Sequence, residues 1–324
     1  MLGIQTVTGA IVPPELGVTY MHEHLLCDQR RCRAEGLRRP GTDGNLMVLN
    51  EFDVAAREMT EIRQLGVDAV VEVTMAAWGR DVEGLRRIST LTGVKIVATS
   101  GFYVEQCHPT WVGERTIDEL AEYLVREVAS GVGTTGIRTG LLKSAISRPV
   151  VEGPEEKCAR AVARAHLATG ATITTHTSGA SRFEVAGGNI GPQLLDVFES
   201  EGVNPRRVII GHVDENVNVR SLEQLCRRGA YVEFDVVGKH HWMLDETRAE
   251  VIAELVRRGH ISHLLLSMDR ARKAELKSYG GQGYAYLVTH FVPLLENAGL
   301  SAEAVQEIMV HNPRRALAFE IPAA

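Results

Sequence analysis

Short apolar segments and helical segments alternate along this chain, and this alternation constrains its fold more than any other feature. Each apolar segment is rich in β-branched residues, and each precedes a stretch with helical periodicity. The predicted strands are Val18–Met21, Ala69–Val73, Lys95–Thr99, Gly136–Leu142, Ala171–Thr175, Arg207–Gly211, Tyr231–Phe234 and His263–Ser267. The predicted helices are Glu51–Leu65, Val82–Thr92, Ile117–Ala129, Pro154–Thr169, Gly191–Glu201, Ser221–Arg228 and Glu246–Arg258. Strands that alternate with helices predict a parallel sheet, and eight such strands close a (β/α)8 TIM barrel.

The chain is predicted to form one domain rather than two. A Rossmann arrangement lacks support, because no G-x-G-x-x-G sequence follows a predicted strand. No low-complexity linker divides the sequence, so residues 1–324 are assigned to a single domain, with the barrel spanning residues 17–319. Residues 1–16 are predicted to form a short N-terminal β-hairpin beneath the barrel.

The composition argues against several classes of protein. With 324 residues, 44% of them hydrophobic and 23% charged, the chain resembles a globular enzyme with a sizeable core. Its net charge of -6 argues against nucleic acid as a partner, since such binding requires a basic surface. The five cysteines are scattered without a C-x-x-C pair, which is typical of reduced thiols in an intracellular protein. No signal peptide and no run of about 18 apolar residues is found, so we expect a cytoplasmic protein without membrane contact.

His22-Glu23-His24 follows the first predicted strand and is the first candidate for a metal site. Because side chains alternate along a strand, residues 22 and 24 point the same way. Two imidazoles then leave one strand end side by side, at a spacing that lets both bind one metal ion. The pair alone is a weak signal, since many surface loops contain His-x-His.

Four other predicted strands are also followed by residues that can bind or bridge metal ions. These residues are Lys143, His176, His212 and Asp269. Because the carboxyl ends of the strands carry the active site of a TIM barrel, we expect these side chains to meet the two histidines there. Four histidines and a carboxylate exceed the needs of one four-coordinate ion. The sequence therefore predicts two divalent ions about 3.5–4 Å apart.

Lys143 requires its own explanation, because an ammonium group beside two cations is repelled. A lysine that is buried near positive charge loses its proton readily. The neutral amine can then take up CO2 to form a carbamate, an anionic group that bridges two ions. We therefore expect a CO2-derived carbamate on Lys143.

The sequence stretches around these residues resemble motifs of the phosphotriesterase family of the amidohydrolase superfamily. The matching stretches are Met21-His22-Glu23-His24, Gly140-Leu141-Leu142-Lys143, Thr174-Thr175-His176, Ile210-Gly211-His212 and Ser267-Met268-Asp269. The resemblance is collinear from about residue 4 to residue 319. It implies a (β/α)8 hydrolase with two metal ions, and commonly a homodimer.

The resemblance also implies how the ligands are divided between the two ions. His22, His24 and Asp269 would hold the more buried ion. His176 and His212 would hold the more exposed one. Carboxylated Lys143 would bridge the two ions.

Asp269 and Tyr103 are the predicted catalytic residues. In such a site, a hydroxide between the ions attacks an electrophilic carbonyl or phosphoryl centre, and Asp269 is placed to accept its proton. Tyr103 ends the stretch Ser100-Gly101-Phe102-Tyr103, where lactonases of the resembled family carry Tyr and phosphotriesterases carry Trp. Its phenol would hydrogen-bond the lactone, which makes Tyr103 a substrate-binding residue as well. A plain wall residue is the alternative.

The loops after the seventh and eighth strands carry the other predicted substrate-binding residues. Lys239 and Trp242 lie in the first of these loops, and Arg272 and Lys273 lie in the second. Clustered cations suit an anionic substrate group, because Arg and Lys bind phosphate and carboxylate through charge-assisted hydrogen bonds. Family members that act on phosphorylated sugar lactones tend to carry Arg and Tyr where this chain has Lys273 and Glu275. A hydrated loop whose charges point outward is therefore the alternative.

The leading functional hypothesis is a lactonase acting on acyl-homoserine, simple or sugar lactones, with side activity on organophosphate esters. Zinc is the first choice of metal, although histidine and carboxylate ligands also accept Mn, Co or Fe. The same water could attack another carboxylic ester, an amide or a phosphoester, so these alternatives stay open. A non-catalytic ligand-binding barrel is the alternative of another class, and the complete set of ligands argues against it. The expected partner is a small-molecule substrate.

Overall fold

A computed structural model describes residues 2–32, 47–178, 189–215 and 217–321 of the chain. Within these ranges the strands are β1 (Leu2–Thr6), β2 (Gly9–Ile11), β3 (Thr19–Glu23), β4 (Cys27–Asp28), β5 (Val48–Leu49), β6 (Ala69–Glu72), β7 (Lys95–Gly101), β8 (Leu141–Ala145), β9 (Ile173–His176), β10 (Val208–Ile210), β11 (Tyr231–Phe234), β12 (Leu264–Leu266) and β13 (Phe319–Glu320). The α-helices are α1 (Phe52–Gln64), α2 (Val82–Thr92), α3 (Thr110–Glu114), α4 (Ile117–Ala129), α5 (Gly153–Thr169), α6 (Gly191–Ser200), α7 (Val219–Arg228), α8 (Asp245–Arg257), α9 (Val292–Asn297), α10 (Ala302–Gln306) and α11 (Asn312–Leu317). None of the helices in the described ranges combines the length and the apolar character that a membrane span requires.

The central sheet contains eight strands in the order β3-β6-β7-β8-β9-β10-β11-β12. All neighbouring strands in it are parallel, and helices lie between them in the chain. Side chains such as Met21, Val97 and Leu265 form one apolar cluster, whereas a second and larger cluster includes residues of the helices. This arrangement confirms the predicted (β/α)8 barrel.

The seam between the first and last barrel strands is closed largely by one side chain. Oε1 of Glu23 accepts hydrogen bonds from Ser267 Oγ at 2.7 Å and from the Met268 amide at 2.8 Å. Its Oε2 accepts from the Arg270 amide at 2.8 Å. One backbone bond, from Asp269 N to His22 O at 3.1 Å, also crosses the seam. The residue between the two predicted histidines is thus part of the barrel's closure.

Helix α4 shows how local sequence determines an element. Thr116 precedes it and forms a capping box with Glu119, which satisfies backbone N–H groups at the helix start. Leu120, Leu124 and Val128 follow at four-residue spacing and are all buried. Because residues four apart lie on one face of a helix, this stripe packs into the core. The predicted bounds of this helix, Ile117–Ala129, are confirmed.

A buried ion pair ties helix α4 to the loop after β6. Nη2 of Arg80 donates to Oε1 of Glu127 at 2.7 Å, and its Nη1 donates to the Thr99 carbonyl at 2.6 Å. The same carboxylate accepts from the hydroxyls of Tyr123 and Ser100. Burial alone would raise the pKa of Glu127, but the charge and hydrogen bonds of Arg80 lower it below its ordinary value.

The base of the barrel is covered by a small antiparallel sheet. β1 pairs with β2 from Ile4–Ile11 to Thr6–Gly9, which confirms the predicted N-terminal hairpin. On its other edge β1 pairs with β13, with Leu2 opposite Glu320 and Gly3 opposite Phe319. Strand β13 was not predicted, because its two residues are too few to show an alternating pattern.

The fourth barrel strand lies later in the chain than its predicted bounds, Gly136–Leu142. The structure places β8 at Leu141–Ala145. Backbone groups of the preceding segment are hydrogen-bonded outside the barrel sheet. The Ile137 carbonyl accepts from the Val132 amide, and the Thr139 amide donates to the Glu127 carbonyl. The apolar pattern alone cannot distinguish such a connection from a strand. As a result, Lys143 lies inside the strand rather than after it.

The expectation of reduced cysteines is wrong for one pair. Cys32 and Cys107 form a disulfide across 75 residues of chain. Cys27, Cys158 and Cys226 are free and buried, as expected for most of the cysteines. Cys32 follows β4 and Cys107 follows β7, and spacing in the sequence does not reveal that these two loops meet. The bond joins two loops at the rim of the barrel.

Candidate metal centre

The six predicted ligands lie together at the carboxyl ends of the barrel strands. His22 lies in β3 and His24 directly follows it, while Lys143 lies in β8 and His176 ends β9. The other two, His212 and Asp269, lie in the loops that follow β10 and β12. His22, Lys143 and His212 are at most 1% exposed. The structure therefore brings all six together, although the role of each as a ligand remains a prediction.

The first group of ligand atoms surrounds Asp269. Its Oδ1 lies 3.3 Å from His24 Nε2 and 4.0 Å from His22 Nε2. Lys143 Nζ lies 3.1 Å from the same His22 nitrogen. Two imidazoles and a carboxylate within 4.8 Å of one another can hold a divalent ion. The lysine side chain lies directly beside that group.

The second group is the pair His176 and His212. Nδ1 of His176 lies 2.5 Å from Nε2 of His212, so these two ring nitrogens face each other. The other nitrogen of His176, Nε2, lies 3.1 Å from the Tyr103 hydroxyl. The ring of His212 is tilted against that of His22, with centroids 4.9 Å apart. The two groups are thus adjacent, as two neighbouring ions require.

Hydrogen bonds on the far side of the rings determine which nitrogen faces the centre. His24 Nδ1 lies 2.6 Å from Thr74 Oγ1, and that hydroxyl in turn donates to Glu72 at 2.6 Å. A hydroxyl that donates its proton to a carboxylate must accept from the imidazole, so His24 carries its proton on Nδ1. His22 Nδ1 lies 3.0 Å from Oδ2 of Asp235 and 3.2 Å from Glu233. In both rings the Nε2 lone pair is free for a metal ion.

Asp235 is a site residue that the sequence reasoning missed. Its Oδ1 lies 2.7 Å from His212 Nδ1, and its Oδ2 contacts His22. The backbone amide of His212 also donates to this carboxylate at 3.0 Å. A signal was present, because Asp235 follows the strand Tyr231–Phe234 directly, as the predicted ligands follow their own strands. Only its partners in space reveal what the residue contacts.

Burial keeps the first group of ligands in the state that binds metal. Burial, followed by the charge of Lys143, lowers the pKa of His22 to about 3, so its contact with Asp235 is a hydrogen bond between a neutral ring and a carboxylate. Burial also lowers the pKa of Lys143 to about 8. A lysine with this pKa has an appreciable fraction of neutral amine near pH 7–8, which carbamate formation requires.

Two other pKa shifts reflect paired charges. Burial alone would lower the pKa of His212, but the charge and hydrogen bond of Asp235 raise it to about 9. Burial alone would raise the pKa of Asp269, but the charges of Lys239 and His212 hold it well below its ordinary value. The Asp269 carboxylate is therefore ionised throughout the neutral range.

Backbone strain occurs at two of the predicted ligands. His212 and Asp269 have φ angles of 54° and 49°, and they are the non-glycine residues with positive φ in the described ranges. Such a conformation costs about 1–3 kcal/mol and tends to occur at functional sites. The Asp235 carboxylate holds the first of these residues through its backbone amide, and the carbonyl of His22 holds the second.

A cavity of about 850 Å³ opens above these groups. Its walls are formed by His24, Gln29, Met47, Trp78, Tyr103, Lys143, His176, Ser178, Glu215, Lys239, His241, Trp242, Asp269, Ala271, Arg272 and Glu275. The ring of Trp78 packs against those of Tyr103 and His24, at centroid distances of 4.4 and 5.2 Å. This volume accommodates a small organic molecule with its reactive bond at the polar floor.

The predicted substrate-binding residues divide into those that line the cavity and one that does not. Tyr103, Lys239, Trp242 and Arg272 line it. Lys273 is absent from its walls and forms an ion pair with Glu51 instead. The ammonium group of Lys273 is therefore directed away from the cavity.

Lys239 is held against the metal centre. Its Nζ donates to both the carbonyl oxygen and Oδ2 of Asp269, each at 2.5 Å, and lies 3.8 Å from Glu275. Glu275 also accepts hydrogen bonds from the amides of Ala271 and Arg272, and so shapes the loop after β12. The positive charge of this lysine is already balanced by two carboxylates.

The donor set fits two divalent ions. Imidazole nitrogens and carboxylate oxygens are the usual donors for zinc and similar metals, and each ring has its proton-bearing nitrogen turned away from the centre or toward a phenol. The buried Lys143 amine has His22 Nε2 as its near neighbour, and a carbamate there would add the anionic oxygens that a pair of ions needs.

Comparisons with known proteins support the resemblance seen in the sequence. A model of the phosphotriesterase family matches residues 2–317. The chain is 32% identical over 299 residues to the phosphotriesterase homology protein of Escherichia coli strain K12. That alignment covers 92% of this chain and 96% of the other protein. This chain is 26% identical over 352 residues to N-acetyltaurine hydrolase of Xenopus tropicalis, across 98% of each chain. Its structure superposes on that of a lactonase from Listeria monocytogenes with a TM-score of 0.88 and 29% identity, covering 98% of this chain and 99% of the other.

These similarities extend over nearly the whole chain, and the relatives are named as hydrolases or as phosphotriesterase homologues. They confirm the predicted enzyme class in its broad form. This chain belongs to the phosphotriesterase family and is a hydrolase.

Proposed function

We propose that this chain is a binuclear metal-dependent hydrolase that opens lactones. The observation that carries the proposal is the convergence of six candidate ligand side chains, four of which line one cavity that is large enough for a small ester. The similarity to the Listeria lactonase supports the choice of a lactone over a phosphotriester. Tyr103, at the position that is Tyr in lactonases of this family, lies in the cavity wall beside His176.

In the proposed site, His22, His24 and Asp269 would hold the more buried ion. His176 and His212 would hold the more exposed ion, and a carbamate on Lys143 would supply further anionic oxygens to the pair. When bound, two divalent ions, with zinc as first choice, supply Lewis acidity and a water of lowered pKa.

Asp269 is the proposed proton acceptor. Its carboxylate is ionised, and it faces both His24 and the cavity. During attack on the ester carbon, a carboxylate oxygen of Asp269 takes the proton of the nucleophilic water. Lys239 donates to Oδ2 of this carboxylate and restricts its rotation. Tyr103 and Trp242 would then position the substrate, and Arg272 would contact any anionic group that it carries.

A carboxylic amide with an anionic tail is the second candidate substrate. The N-acetyltaurine hydrolase relative acts, by its name, on such a compound. In this chain the guanidinium of Arg272 lines the cavity, and no described residue forms an ion pair with it. Since Lys239 and Lys273 are both paired with carboxylates, Arg272 offers the cation best placed to receive a monoanion.

A hydrolysis assay on the zinc-reconstituted protein tests the proposal. The panel contains an acyl-homoserine lactone, neutral γ- and δ-lactones, a phosphorylated sugar lactone, an N-acyl amino sulfonate and an organophosphate triester, with Asp269→Asn as the blank. We expect a lactone to give the highest kcat/KM. A preferred amide would instead establish the second candidate, and activity equal to the blank on all five classes, with two ions bound, would contradict both.

A further inference from the structure

We propose that Asp235 is a positioning residue shared by the two ion sites, an inference that rests on the proposed binuclear function. Its two carboxylate oxygens each fix the imidazole of a different predicted site. Oδ2 lies 3.0 Å from Nδ1 of His22, and Oδ1 lies 2.7 Å from Nδ1 of His212. One side chain therefore orients one ligand of each ion.

The alternative that Asp235 is itself a metal ligand conflicts with its hydrogen bonds. His22, His212 and Asp235 do offer three potential donor atoms within 4.8 Å of one another. However, the amide of His212 donates to both oxygens at 3.0 Å, and the two ring nitrogens occupy the remaining directions. A carboxylate with this many N–H partners acts as an acceptor.

The location of Asp235 in the barrel explains how it reaches both rings. It follows β11, which lies between β10 and β12 and supplies none of the six predicted ligands. The neighbouring strand β10 leads to His212, and β3 carries His22 beyond β12. Asp235 is completely buried, and its own amide donates to Asp214 at 3.2 Å, so its position is well defined.

The other predicted histidine ligands have separate supports. His24 is held through Thr74, and His176 contacts Tyr103. Because Asp235 contacts two of the histidine rings, whereas Thr74 and Tyr103 each contact one, substitutions at the three residues can be compared directly. Asp235→Ala removes both acceptor oxygens, whereas Thr74→Val and Tyr103→Phe each remove one hydroxyl near a single ion.

The test is a zinc titration of the metal-free proteins against a competing chelator, with metal content measured after gel filtration. We expect Asp235→Ala to weaken the binding of both ions at least tenfold, which is the usual effect of losing a partner of a metal-binding histidine. Thr74→Val should weaken only the tighter, more buried ion, and Tyr103→Phe only the other. The melting temperature of each metal-free variant separates these effects from a general loss of structure.

The outcomes distinguish the inference from the proposed function. Unchanged affinity in Asp235→Ala, or a loss confined to one ion, would overturn the shared role while the wild type still binds two ions. A wild type that binds no zinc would refute the proposed function itself, and the inference with it.

A measurement on the wild type covers the case in which Asp235→Ala does not fold. In the zinc-loaded protein with ¹⁵N-labelled histidine, His22 and His212 should both carry their proton on Nδ1, with slow solvent exchange. Assignment of either ring to the Nε2-protonated form would overturn the proposal.

Discussion

At the residue scale, the proton position on each imidazole determines what the centre can bind. His24 and His22 present Nε2 because Thr74 and Asp235 accept their Nδ1 protons. His176 is the exception, since it presents Nδ1 and turns Nε2 toward Tyr103. The conformation of this ring therefore depends on a residue of the cavity wall, which links the candidate metal centre to the cavity.

Replacing Asp269 by Asn should lower kcat by about 10²–10⁴-fold, because the amide cannot accept the proton of the nucleophilic water. The barrel should remain folded, since Asp269 contributes one backbone bond to the seam and that bond is unchanged. Steady-state kinetics and circular dichroism check the two parts. Activity close to that of the wild type would rule out Asp269 as the proton acceptor.

Replacing Lys143 by Ala should reduce bound metal, because no carbamate can then bridge the two ions. A short carboxylic acid such as propionate should restore part of the metal content and activity by supplying the missing oxygens. Elemental analysis with and without the acid measures this effect, and Lys157→Ala is the control, because this lysine lies on helix α5, outside the cavity. The same metal content in Lys143→Ala and wild type would exclude the bridging role.

The convergence of the six candidate ligands could be predicted at this scale, because each stands at or just after an apolar segment. The pairing of Lys239 with Asp269 could not be predicted, since it depends on the path of the loop after β11. The orientation of the Lys273 side chain likewise could not be predicted, because it depends on an ion pair with Glu51, which lies far away in the sequence. Residue type and local pattern predict which strand end a group occupies, but not its partner in space.

At the element scale, the barrel depends on connections that side chains complete. β12 and β3 are joined through Glu23, and the loop after β6 is joined to α4 through Arg80 and Glu127. Both connections lie close to the centre: Glu23 separates two predicted ligands, and Arg80 follows Trp78 of the cavity wall.

Replacing Glu23 by Gln should destabilise the protein by about 1–3 kcal/mol, because an amide nitrogen cannot accept the buried backbone bonds that the carboxylate accepts. It should also weaken zinc binding, since Met268 and Arg270 flank Asp269. Chemical unfolding and zinc titration provide the two readouts, with the exposed Glu15→Gln as control. A variant as stable as the wild type would show that the seam does not depend on this carboxylate.

The pair of Arg80 and Glu127 gives a pH prediction. Because the pKa of Glu127 is lowered in the folded protein, its contribution to stability is complete above the ordinary value of 4.5 and is lost as the pH falls through the lower folded value. Glu127→Gln should therefore be destabilised by about 3–5 kcal/mol near pH 7 and by less than that below pH 4.

Unfolding free energies at several pH values test this prediction, and Glu122→Gln on the exposed face of the same helix is the matched control. A difference between Glu127→Gln and wild type that does not change with pH would contradict it.

The elements themselves were predictable to different degrees. Helix α4 has a capping box and a regular apolar stripe, and its bounds could be read directly. The predicted strand Gly136–Leu142 begins too early, because the segment resembles a strand although the Thr139 amide donates to Glu127 of the preceding helix and the Ile137 carbonyl accepts from Val132. An extended connection and a strand differ in their hydrogen-bond partners, which the sequence does not show.

At the scale of the whole molecule, the disulfide between Cys32 and Cys107 ties distant parts of the chain together beside the cavity. Trp78 Nε1 lies 3.1 Å from Cys32 Sγ, and the Trp78 ring contacts Tyr103 and His24. The link between two rim loops therefore supports one wall of the cavity.

Reduction of this disulfide with dithiothreitol should lower the free energy of unfolding by up to about 4 kcal/mol, because the bond closes a loop of 75 residues in the unfolded chain. It should also raise KM more than it lowers kcat, since Trp78 lines the cavity while the metal ligands keep their own supports. Thiol titration in denaturant should find three free thiols before reduction and five afterwards. Cys158→Ser is the control, and an unchanged melting temperature after complete reduction would contradict the prediction.

The small sheet at the base of the barrel has a consequence for how the molecule assembles. β1 can pair with β2 as soon as both are synthesised, since β2 follows β1 almost at once in the chain. Its other edge must wait for Phe319 and Glu320, which form β13. Contacts of such long range are slow to form, so one edge of β1 stays unpaired while almost the whole barrel is synthesised. The first strand of the chain is thus expected to reach its final environment last.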